Sequence, residues 1–270
     1  MRDPTLPVTA TNPGAGRRIR LSVARRMVAD YMWASSGIAR VGVTRPVELG
    51  DVIAARRGMQ NPPSWTAIFA KAFAMVAAEV PELRRVYMKW PWPHLYEYAE
   101  STVSIMQERR IMGDTGLLPM RFRRPDTLPI GAFDDMIRGA AETPIEASKF
   151  YRNLVAVTRW PVFIRRPIWA LCLSIPRLRR HTLGTYAVSS VARWQAELGR
   201  TRSPIPCLLS YGPADAAGQV PVLLNFDHRI FDGALAARVL TRLDEVLNSS
   251  ILDELRALGG PQPSPQPRRA

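Results

Sequence analysis

The chain reads as an α/β protein, a mixed β-sheet covered by helices. Three features predict this. Two stretches carry apolar residues at helical spacing: Trp65, Ile68, Phe69, Ala72, Phe73, Val76 and Ala77, then Leu235, Val239, Leu240, Leu243, Val246 and Leu247. Several short runs, among them 184–191, 206–210 and 220–226, have strand character. The two kinds are interspersed without a strict strand–helix–strand rhythm, which favours a mixed sheet over a purely parallel one. With 270 residues, of which 47% are hydrophobic and 22% charged, the chain can bury a sizeable core.

Residues 1–16 are polar and contain Pro and Gly, and read as a loose tail. Leu21, Ala24, Val28, Tyr31 and Met32 predict a first helix over Ser22–Trp33. Alternation at Ala39, Val41 and Val43 predicts a strand broken at Pro46. Ser64 caps the first strongly apolar helix and Pro81 ends it. Trp90-Pro91-Trp92-Pro93-His94 reads as a rigid turn, and Thr102–Gln107 as a strand. Gly116-Leu117-Leu118-Pro119 reads as a turn into another extended piece, and Phe133–Ala141 as a helix. The last twelve residues, 259–270, are rich in Pro and Gly and form a second tail.

The net charge is +14 and the isoelectric point near 10.9. Such a balance favours acidic partners, namely phosphate-bearing cofactors, anionic lipid or nucleic acid, or it serves solubility alone. Nucleic acid rests on charge only, because no DNA-reading motif is present. Cys172 and Cys207 sit in apolar runs without metal spacing, so they read as reduced core residues of a cytoplasmic protein. The N-terminus lacks the apolar core of a signal peptide. No window reaches the roughly 18–20 apolar residues of a membrane span.

One segment departs from this balance. From Lys149 to Arg180 there is no acidic residue, while Phe150, Tyr151, Trp160, Phe163 and Trp169 alternate with seven arginines. Arginine and aromatics beside apolar stretches suit a membrane interface or a greasy anionic ligand. The competing reading is that the apolar side packs on the core or on a neighbouring subunit while the arginines face water. Pro161, Pro167 and Pro176 argue against one continuous helix.

The chemistry-bearing residues are few. Of the three histidines, His94, His181 and His228, the first two have no carboxylate or Cys at ligand spacing, so no metal is expected. Neither a phosphate-binding glycine loop nor a nucleophile elbow is present. His228 stands out. The apolar run Val222-Leu223-Leu224 feeds it, and Gly233 and a helical pattern follow, so its ring is held at an element end.

Asp227-His228-Arg229-Ile230-Phe231-Asp232-Gly233 matches the Asp-His-Arg-x-x-Asp-Gly signature of the 2-oxoacid dehydrogenase acyltransferase (E2) catalytic domain. Ala24-Arg25-Arg26-Met27 resembles that family's opening helix, and Val80-Pro81-Glu82-Leu83 its Pro-x-Leu helix end. Gly116–Pro119 is similar to its Gly-Leu-x-x-Pro segment, and Gly184–Ser190 to its Gly-Gly-Thr-Phe-Thr-Ile-Ser strand, lacking one Gly. The resemblance implies a chloramphenicol acetyltransferase-like fold over residues 17–258, with 149–182 as an Arg/Trp-rich insertion. It further implies a homotrimer or a higher trimer-based assembly, with the active site between subunits.

The activity it implies is acyl transfer from a coenzyme A or acyl carrier protein thioester to a thiol, hydroxyl or amine, without a metal. His228 would be the general base, since an unperturbed imidazole near pKa 6.5 accepts a proton at neutral pH. Ser189 would donate to the oxyanion, with Ser190 as its rival if the register slips. Asp232 would orient the loop through a salt bridge to Arg26, with Arg25 as fallback. No residue is assigned to the coenzyme. The sequence contains no lipoyl or peripheral-subunit-binding domain, so lipoamide need not be the acceptor. Two other readings keep the same fold: a non-catalytic trimeric scaffold, and a protein that binds lipid or a membrane surface.

Overall fold

The computed structural model describes residues 18–259. The two expected tails lie outside this range, except Gly259, which ends the last helix. In chain order the elements are α1 (Val23–Ser35), β1 (Arg40–Glu48), α2 (Gly50–Arg57), α3 (Trp65–Glu79), β2 (Arg85–Met88), β3 (His94–Glu97), β4 (Thr102–Ile111) and β5 (Asp114–Arg123). Then come α4 (Ile130–Glu142), α5 (Lys149–Arg159), α6 (Val162–Ser174), α7 (Pro176–Leu183), β6 (Tyr186–Ser189), β7 (Cys207–Tyr211), β8 (Gln219–Asp227), α8 (Gly233–Val246) and α9 (Leu252–Gly259). Ser22 and Ser64 cap α1 and α3 through the N–H groups of Arg25 and Ala67, satisfying helix-end donors.

Six strands form one mixed sheet in the order β1-β8-β7-β6-β4-β5, and β2–β3 is a separate hairpin. β6 runs parallel to both its neighbours, while the remaining pairs are antiparallel. Side chains alternate across this sheet. Tyr186, Val188, Cys207, Leu209, Leu224 and Phe226 point into the main core, where α3, α4 and α8 pack. Within that core Phe69 stacks on Tyr211 at 4.3 Å, and the Tyr186 hydroxyl donates to the Ala70 carbonyl at 2.7 Å. The opposite face, with Ala187 and Leu208, is covered by α1 and α6 through Tyr31, Trp169 and Leu173. There α5 packs beside α1 over β5.

Two expectations are corrected. β1 does not break at Pro46 but runs through it, and Gly116–Pro119 lies inside β5. The turn before β5 is Met112-Gly113, both residues at positive φ, as a two-residue hairpin requires. The reason is common to both cases. β1 and β5 are the edge strands, where a missing N–H can face away from the ladder.

The 149–182 segment folds as three helices, separated at Pro161 and Pro176, with Pro167 inside α6. Part of it is core: buried Arg165 pairs with buried Asp30 of α1 at 2.8 Å. Buried Arg179 donates to the Tyr87 and Pro204 carbonyls, and burial pulls its guanidinium down to about 10. Another part faces outward, a stripe at four-residue steps through Phe163, Pro167, Leu171 and Ile175. Among the described residues no helix is long and apolar enough to cross a membrane.

Candidate active site

The end of β8 is fastened from several directions. Asp227 is 1% exposed and accepts two hydrogen bonds from the Arg229 guanidinium, at 2.9 and 2.7 Å. The Arg229 side chain in turn lies 4.2 Å over the Tyr87 ring. The backbone N–H of His228 donates to the Ala39 carbonyl at 2.8 Å. Phe231 stacks on Phe226 at 4.5 Å, and Asp232 caps α8 by accepting the Leu235 N–H at 2.9 Å. His228 is therefore an exposed side chain on an immobilised backbone.

The salt bridge expected between Asp232 and Arg26 is not formed within the chain. Arg26 donates to the Leu21 carbonyl at 3.2 Å, and among the described residues neither it nor Arg25 forms an ion pair with Asp232. Topology separates them: α1 covers one face of the sheet and α8 the other. Asp227, not singled out beforehand, holds the histidine loop through Arg229. The sequence carried its signal, since an acidic residue and an arginine flank the histidine directly.

Ser189 ends β6. The chain enters the strand through Gly184, whose φ is +74°. A Cβ there would stand 2.6 Å from the Thr102 carbonyl oxygen, so only glycine fits. Next to it Thr185 clasps Thr102, accepting its N–H at 3.0 Å and donating to its carbonyl at 3.2 Å. These contacts fix the register that carries Ser189. The two serines then differ. The Ser190 hydroxyl donates to the Tyr211 carbonyl at 2.7 Å and accepts the Ala192 N–H at 3.1 Å. The Ser189 hydroxyl has no hydrogen-bond partner among the described residues.

His228 and Ser189 do not meet within one chain. Ser189 stands opposite Ser210, which stands opposite Leu223, whereas His228 lies five residues beyond Leu223 along β8. Strand rise and spacing put the two about 20 Å apart.

Two concavities flank the end of β6. On the Ser190 side an open cleft of about 940 Å³ is lined by Arg56, Arg57, Trp65, Arg193 and Tyr211. On the Ser189 side a cavity of about 210 Å³ lies between the sheet, α1 and the 149–182 helices. Among the described residues no cluster of three or more His, Cys, Asp or Glu could hold a metal ion.

No family model and no curated protein matches the sequence. Solved structures do match in shape. Dihydrolipoamide acetyltransferase from Azotobacter vinelandii superposes with a TM-score of 0.64 at 16% identity, over 92% of this chain and 99% of that one. The fold is that of the dihydrolipoamide acetyltransferase catalytic core. A probable dihydrolipoamide acetyltransferase from Listeria monocytogenes gives 0.60 at 18% identity, over 86% of this chain and 94% of that one. Chloramphenicol acetyltransferase gives 0.50 at 14% identity, over 82% and 94%. In the acetyltransferase core fold of this chain, the motif histidine and Ser189 stand at opposite ends of the sheet.

Proposed function

We propose that the chain is an acyltransferase whose active site forms between subunits of a trimer. One observation carries this: an exposed histidine on a fixed backbone and an uncommitted serine hydroxyl are too far apart in one chain to act on the same carbonyl, so a shared site needs a second subunit. In the Azotobacter enzyme a serine, a histidine and an asparagine four residues after that histidine were investigated for the catalytic mechanism. Asp232 stands at the same spacing from His228.

In the reaction, the acceptor X–H gives its proton to the imidazole of His228. The freed X attacks the thioester carbonyl carbon, and the electron pair moves onto the carbonyl oxygen. Ser189 donates a hydrogen bond to that oxyanion. When the carbonyl re-forms, the C–S bond breaks. The departing thiolate takes the proton from the imidazolium, leaving acyl-X and a free thiol. With coenzyme A as donor, the basic cleft with Arg56, Arg57 and Arg193 offers charge for its phosphates. Mass spectrometry of products from a panel of acyl-CoAs with thiol, alcohol and amine acceptors tests this. Acyl transfer that disappears in His228→Ala supports it, and transfer unaffected by that substitution overturns it.

A second contact is favoured by the outward stripe of Phe163, Leu171 and Ile175, exposed by 75, 55 and 39%. Exposed Arg159, Arg166 and Arg177 lie along the same acid-free segment. Their charge complements an anionic lipid surface, which makes the protein membrane-peripheral. Flotation with anionic vesicles is expected, weakened by salt and lost in Phe163→Asp. Binding unchanged by both would remove this reading.

A further inference from the structure

From the shape and lining of the cavity beside Ser189, we infer that it is a binding site for the hydrocarbon chain of the acyl group, of about eight carbons or more. This rests on the acyltransferase reading and names its substrate class.

The walls are apolar side chains from four places in the sequence: Met27 and Val28 of α1, Met106 of β4, Leu154 of α5 and Trp169 of α6. The polar groups in the lining are largely spent on the protein itself. The Tyr31 and Ser203 hydroxyls bond each other at 2.7 Å, and Thr158 donates to the Leu154 carbonyl at 2.7 Å. Arg202, the single charged residue of the lining, is exposed. The Ser189 hydroxyl, in the same lining, has no hydrogen-bond partner among the described residues. A cavity with mainly apolar walls accepts an apolar guest. At about 210 Å³ it is larger than the roughly 150 Å³ apolar cavity that takes up a benzene ring. A charged or strongly hydrated acyl group would meet mainly apolar walls, with the exposed Arg202 as the single charged group of the lining.

The position of Ser189 then sets the direction of the guest. If its hydroxyl faces the carbonyl oxygen, the chain attached to that carbonyl continues into the cavity. This also gives the acid-free segment a part in specificity. Its α5 and α6 supply Leu154, Thr158 and Trp169, while buried Arg165 ties them to α1.

Calorimetric titration of the full chain with acetyl-, octanoyl- and palmitoyl-CoA, without acceptor, tests the inference. Each buried methylene tightens binding by up to about fourfold, so octanoyl-CoA, with six more methylenes, is expected to bind more than about tenfold tighter than acetyl-CoA, with a ceiling of about 4,000-fold. The same gain is expected in His228→Ala, which separates binding from chemistry. Met106→Trp fills the cavity and should remove most of the gain. Leu117→Trp, at the exposed rim, serves if the first variant does not fold. Equal affinity across the three donors, as when a side chain of a neighbouring copy fills the space, overturns the inference. So does a gain unaffected by either tryptophan. Acetyl transfer without chain-length preference leaves the acyltransferase reading standing and removes the cavity from it. Chain-length-dependent binding without transfer to any acceptor does the reverse.

Discussion

At the residue scale, the pair of serines at the end of β6 offers a controlled comparison. Ser189→Ala should lower kcat by about 10²- to 10³-fold, the usual loss for an oxyanion donor. His228→Ala should cost about 10²- to 10⁴-fold as loss of a general base. Ser190→Ala removes contacts to the Tyr211 carbonyl and the Ala192 N–H, so stability should shift while the chemical step holds. Steady-state kinetics beside thermal denaturation separates these outcomes, and equal losses at both serines would refute the assignment. Cys207 allows a test independent of activity. Burial pushes its thiol up to about 12, so it should resist alkylation at pH 8 in the native protein and react once unfolded. Between the unfolded value near 9 and that raised value, the folded state keeps a proton that the unfolded chain has lost. Its contribution to stability therefore falls as pH rises through that window. Mass mapping of labelled peptides and denaturation at stepped pH read both effects.

Among the elements, helices were the easiest to read. Ser64 announces α3, and apolar spacing announces α1 and, from Leu235 to Leu247, α8. The prolines misled, because Pro46 and Pro119 lie in strands that only topology reveals to be at the edge. The site was legible where it is local: the motif around His228 and the strand ending in Ser189. The Arg26–Asp232 bridge is not formed within the chain, because which face of the sheet a helix covers is a long-range outcome. For the same reason the Asp30–Arg165 pair could not be read, since its partners are 135 residues apart. Both of its side chains are nearly inaccessible, at 8 and 4%. Arg165→Ala should leave a buried carboxylate without its partner and cost about 3–5 kcal/mol. Urea denaturation measures this, and a loss below about 1 kcal/mol would place the pair among ordinary surface bridges.

For the whole molecule, the separation of His228 from Ser189 makes the single chain incomplete under the proposed mechanism. Mixing is the test. Trimers assembled from equal amounts of His228→Ala and Ser189→Ala chains should regain about a quarter of wild-type activity, since a quarter of random interfaces pair two intact residues. Either variant alone stays inactive, and mixtures that remain inactive argue for a site within one chain. The hydrogen bond from the His228 amide to Ala39 has one more consequence. It joins the segment after β8 to the residue just before β1, and Asp227 and Phe231 nail the same few residues to the hairpin and the core. No hinge is left there. The backbone that carries the imidazole is set down when the contacts around it close during folding, not when a substrate arrives, and that backbone can drift only if the sheet itself comes apart.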